Sequence, residues 1–130
     1  MEYRMTNTAE ILDFLFSGKA EFTIKSAASG KHWAFKANLA KDSDRSCFVR
    51  VKHNDDSYYI GLLDTHSLSY IPKQRGDSST AIAALAAFLR RGELHPQFEF
   101  YHIGKCARCS RPLTDPASIQ RGLGPTCVKK

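Results

Sequence analysis

Residues 19–39, KAEFTIKSAASGKHWAFKANL, decide the fold. Over Ala20–Lys25, Phe22 and Ile24 alternate with Glu21, Thr23 and Lys25. Over His32–Leu39, Trp33, Phe35, Ala37 and Leu39 alternate with His32, Lys36 and Asn38. A period of two is the mark of a strand with one buried and one solvated face, and Ser29-Gly30 supplies a hairpin turn between the two runs. The pattern continues outward. Cys47–His53 sets Cys47, Val49 and Val51 against Phe48, Arg50 and Lys52, and two further short strands follow at Tyr58–Leu63 and Leu68–Ile71, the last ended by Pro72. No gap between them is long enough for a parallel crossover helix, so the spacing predicts an antiparallel meander.

Helical signals bracket this meander. Thr6 to Gly18 carries Ile11, Leu12, Phe14, Leu15 and Phe16 behind a Thr or Asn cap, and Ser79 to Arg91 carries an apolar stripe of Ile82, Leu85, Phe88 and Leu89. Asp77 or Ser78 is the expected cap of the second helix and Gly92 its stop. Gln97–Ile103 reads as a last strand. The expectation is an α+β fold in which an antiparallel sheet of five or six strands and two helices (residues 1–100) precede a small C-terminal module (residues 101–130).

The 130 residues contain no apolar run of the roughly 18 to 20 residues that a spanning helix needs, and MEYRMTNTAE lacks the order of a secretion signal. No membrane association and a cytoplasmic setting are expected. Charge is unevenly placed. The net +6 arises from 19 basic and 13 acidic residues, and residues 104–130 hold Lys105, Arg108, Arg111, Arg121, Lys129 and Lys130 against Asp115 alone.

Three of the four cysteines lie in the same tail. Zinc takes four tetrahedral ligands from thiolate sulfur and imidazole nitrogen, and a Cys-x-x-Cys turn such as Cys106-Ala-Arg-Cys109 brings two sulfurs together. Cys127 returns 18 positions later, a separation found between the halves of zinc ribbons and treble-clef-like modules. His102, Cys47 and His95 are the candidates for a fourth ligand. Cys47, set among alternating strand residues, reads more simply as a small buried apolar side chain.

The segment HIGKCARCSRPLTDPAS at residues 102–118, with GLGPTC at 122–127, resembles a small Cys-rich domain of unknown function that recurs in phage and actinobacterial proteins. Its pattern is H-x-G-x-C-x-x-C-x-R-x-L-T-x-P-x-S followed by G-x-G-P-x-C. Residues 15–90 are more distantly similar to the front half of phage proteins carrying that tail. The resemblance implies one structural zinc ion held by His102, Cys106, Cys109 and Cys127, and carries no activity with it. Ser110 departs from the glycine often found there. Thr114 or Asp115 caps a short helix that starts at Pro116 and stops at Gly122. With only Leu113, Ile119 and Leu123 to bury, the module is expected to draw much of its folding free energy from the metal.

Three thiolates and an imidazole close the zinc shell, which argues against a catalytic metal. The His-x-Glu of zinc deaminases and the G-x-x-x-x-G-K-[ST] phosphate loop are absent, and the setting of the Cys-x-x-Cys is not that of a thioredoxin-like redox site. The expectation is therefore a non-enzymatic accessory protein of phage or mobile-element origin. It would bind nucleic acid through Lys105, Arg108, Arg111, Arg121, Lys129 and Lys130, with Phe48, Arg50 and Lys52 as a second contact region. Trp33, Tyr58, Tyr59 and Tyr101 are further stacking candidates. The alternative is a protein-interaction module whose basic tail meets an acidic surface of a host replication, transcription or defence complex.

Overall fold

The alternation at residues 19–39 folds into two central strands of a seven-stranded antiparallel sheet, seen in a computed structural model that describes residues 3–40, 46–53, 56–73, 76–94, 96–109, 111–114 and 116–123. The strands are β1 (Tyr3–Met5), β2 (Lys19–Ser26), β3 (His32–Leu39), β4 (Ser46–His53), β5 (Asp56–Asp64), β6 (Tyr70–Pro72) and β7 (Phe98–His102). Their order is β1-β7-β2-β3-β4-β5-β6. The antiparallel meander from β2 to β6 is as expected in order and direction, but its last strand starts at Tyr70 rather than Leu68, where the backbone turns left-handed (φ 56°), and it includes Pro72 instead of ending before it. The strand count of five or six is corrected to seven by β1, which pairs Tyr3 with His102 and Met5 with Phe100. A three-residue strand is too short to display a period, so only its partner reveals it.

Among the described residues three helices accompany the sheet: α1 (Thr8–Leu15), α2 (Asp77–Arg90) and α3 (Pro116–Arg121). Asn7 caps α1 by accepting the Glu10 N–H at 3.0 Å. At α2 the structure differs from the sequence expectation, because Gly76 takes the N-cap position without a side-chain bond and Asp77 instead pairs with Lys31 at 3.0 Å. None of the described helices is long and apolar enough to cross a membrane.

All three helices lie on one face of the sheet. Phe22 stacks between Phe35 and Phe100 at centroid distances of 5.4 and 4.9 Å, and Phe14 of α1 meets Phe100 edge-on at 5.9 Å. Ile82 and Leu85 of α2 close over Phe22, Ala37 and Val49. Burying each such side chain contributes about 1.5–3 kcal/mol before chain entropy is counted. Cys47 faces this core, fully buried. Among the described residues no helix covers the opposite face.

One irregularity in β5 governs what that open face carries. Arg50 pairs with Tyr59 but Val49 pairs with Gly61, which leaves Ile60 as the extra residue of a β-bulge. The phase of β5 shifts there, so Ile60 and Leu63 both enter the core while Tyr59 and Leu62 both face outward. A Cβ on Gly61 would lie 2.6 Å from both the Ile71 carbonyl oxygen and the Tyr70 hydroxyl, so the ring of Tyr70 occupies the space that a side chain would need.

Candidate metal centre and nucleic-acid interface

The C-terminal module grows directly out of β7. After His102 the chain bends at Gly104, and Lys105 then bridges to Pro112, with Cys106 N–H donating to the Arg111 carbonyl at 2.9 Å and Leu113 N–H to the Gly104 carbonyl at 2.8 Å. This tight loop holds Cys106-Ala-Arg-Cys109 at its tip. Cys106 is buried and its Sγ accepts the Arg108 N–H at 3.4 Å, while Cys109 is exposed. Ala107 is clasped from two sides: its N–H donates to the Gly122 carbonyl at 3.0 Å, and its carbonyl accepts the Lys19 N–H of β2 at 2.6 Å. Cys106, Ala107 and Leu123 join the core cluster of the sheet and helices.

His102 is fully buried, with Tyr3 stacked on it at 5.3 Å and Phe14 tilted against it at 5.7 Å. Its Nδ1 accepts the Gly104 N–H at 3.0 Å, and its Nε2 contacts the carbonyl of Ile119 in α3. A backbone N–H can only donate, so Nδ1 carries the lone pair and Nε2 the proton. Burial holds the imidazole below its ordinary pKa, and the Ile119 carbonyl acts in the opposite direction. The neutral ring thus ties β7 to α3.

The donor chemistry fits a zinc ion in part. Two thiols share one turn, and an N–H aimed at Cys106 Sγ is a bond that favours a thiolate. A metal-bound histidine ordinarily donates its second N–H to a carbonyl, which is the bond His102 makes with Ile119. Ligation at Nδ1 would replace the Gly104 N–H. Among the described residues no three His, Cys, Asp or Glu side chains gather at metal-binding distance; Cys127, the remaining ligand in the sequence reading, lies outside the described residues, as does His95.

The expected cations divide in the same way. Lys105, Arg108 and Arg111 are exposed on the cysteine loop. Arg121 is half-buried on α3, and its Nε has no hydrogen-bond partner among the described residues. Lys129 and Lys130 lie outside the described residues.

Phe48, Arg50 and Lys52 project together from β4 onto the open face. Register places Lys36 and Glu21 beside Arg50, and both Lys36 and Lys52 reach Glu21, at 3.7 and 3.3 Å. The remaining aromatic candidates separate by face. Tyr59 packs its ring against Phe48 at 5.9 Å with Lys73 Nζ 5.1 Å from its centre, and Tyr101 borders a depression with Thr23, Lys25 and His32. Trp33 turns to the helix side against Phe98, and Tyr58 follows Val51 on that side of the sheet. Sequence alternation places Phe48 correctly. It cannot choose between Tyr58 and Tyr59, because the bulge at Ile60 leaves no mark in composition.

A model described as "Family of unknown function (DUF6011)" matches residues 96–130, which contain the whole cysteine loop and α3. No curated protein and no solved structure matches the chain.

Proposed function

We propose that the protein is a non-enzymatic nucleic-acid-binding accessory factor, of phage or mobile-element origin and cytoplasmic, whose C-terminal module grips the phosphate backbone. The observation that supports this reading is the exposure of Lys105, Arg108 and Arg111 on one short loop tied down by backbone hydrogen bonds. Cations fixed on a rigid turn can meet successive phosphate oxygens with little loss of freedom. One structural zinc would be held by Cys106, Cys109, Cys127 and His102 Nδ1, pinning the loop without taking part in chemistry.

Fluorescence anisotropy with labelled oligonucleotides across a salt series tests the reading. Each phosphate contact contributes about −0.7 to −0.9 to the slope of log K against log salt, so replacing Arg108 and Arg111 together by alanine should flatten it by about 1.5. Absence of any oligonucleotide binding at low salt would remove this reading in favour of an acidic host-protein surface as the partner. Metal analysis tests the site: about one zinc per chain is expected, lost or weakened in His102→Ala.

A further inference from the structure

We propose that the open face of the sheet is a second binding surface, one that stacks unpaired bases and so selects single-stranded over duplex nucleic acid. The inference shares with the reading above only the premise that the ligand is a nucleic acid.

The face is free of helices among the described residues, and cationic. Lys19, Lys25, Lys36, Arg50 and Lys52 project from β2, β3 and β4, against Glu21, which pairs with Lys36 and Lys52, and Glu99 of β7, which accepts from the Tyr101 hydroxyl, so these five cations outnumber the two acids beside them. A chain that is near-neutral over its sheet thus presents one positive side, complementary to a phosphate backbone. Phe48 is 40% exposed there, although a ring of that size has an apolar core available on the other face of the same strand. Tyr59 packs against it in a T-shaped pair, and part of the Phe48 ring remains open to solvent.

Register joins this surface to the module. Lys19, Asn38, Phe48 and Leu62 form one row across β2 to β5, and the backbone N–H of Lys19 is bonded to Ala107 in the cysteine loop. Phe48 lies two strand spacings from Lys19, about 10 Å. A strand whose backbone passes Lys19 can therefore lay a base on Phe48. Bases in a duplex are stacked on one another and present no free π-face, whereas those of a single strand do.

The test uses the full-length, zinc-replete protein with a labelled oligothymidine and a hairpin duplex of equal length. The single strand should bind more tightly. Phe48→Ala should weaken single-strand binding roughly 5- to 150-fold, the range for loss of one stacked base, and leave duplex binding unchanged. Phe48→Trp should retain it, and unchanged thermal melting should show that the alanine variant is folded. Single-strand affinity unaltered in a folded Phe48→Ala variant, or an equal loss for both ligands, would overturn the inference. If Arg108→Ala with Arg111→Ala weakens both ligands while Phe48→Ala weakens neither, this inference falls and the module reading stands. If only Phe48→Ala matters, the platform stands and the module reading falls. Failure of every oligonucleotide to bind would overturn both.

Discussion

Gly122 shows how much a single position can carry. It ends α3 with φ +71° and accepts the Ala107 N–H, and a Cβ built on it would lie 2.3 Å from Cδ1 of Phe14 in α1. Gly122→Ala therefore meets a left-handed backbone penalty and an overpacked contact at once. We expect a loss of about 2–4 kcal/mol in urea unfolding. That Gly122 stops a helix is readable from Pro116 and the short polar run before it. That it abuts Phe14 is not, because the two residues are far apart in sequence. His102 carries the same lesson: its spacing to Cys106 suggests a ligand, whereas its bond to Ile119 and its burial beside Tyr3 belong to tertiary structure alone.

Among the elements, the outer part of the sheet is held by the partnership of β5 and β6. Tyr70 lies over Gly61, donates its hydroxyl to the Ile60 carbonyl at 3.0 Å, and has Ser79 Oγ of α2 at 3.1 Å. The Ile60 carbonyl also accepts the Lys73 N–H at 2.8 Å, so Tyr70→Phe leaves it partnered and should cost only about 1 kcal/mol. Gly61→Ala, by contrast, forces the Tyr70 ring and the Ile71 carbonyl aside, and should cost about 1–3 kcal/mol. Comparing the two variants by thermal melting separates packing from hydrogen bonding at this seam. The strands from β2 to β5 are legible because each spans enough residues to alternate, and β6, as short as β1, is marked instead by the turn before it and by Pro72. β1 and the bulge are not, since one is too short and the other is defined only by what lies opposite it.

At the scale of the molecule, the cysteine module proposed to hold a metal is also part of the main core. Cys106 and Leu123 are buried with the sheet residues, yet Cys109 and the loop cations remain outside. Chelation of the proposed zinc should loosen residues 104–123, measured as faster hydrogen exchange there and as alkylation of Cys106 and Cys109, while β2 to β6 keep their protection. Cys47 supplies an internal reference. Its thiol is pushed up to about 12 by burial, so it should resist alkylation with or without metal until the sheet unfolds. Labelling of Cys47 at the same rate as Cys109 would show that the sheet and the module lose structure together.

The position of β7 between β1 and β2 also sets an order of events during synthesis. Tyr3–Met5 is synthesised before the other described strands, but among the described residues its strand partner is Phe98–His102, so its pairing must wait while the hairpins from β2 to β6 can close over short loops. Local pairings form early and distant ones late, because loop closure over a long stretch of chain is entropically slow. Until β7 arrives, the edge of β2 stays open to pairing with another chain. The step that closes that edge also delivers the cysteine loop to its place beside Lys19, so completion of the sheet and assembly of the module coincide in time.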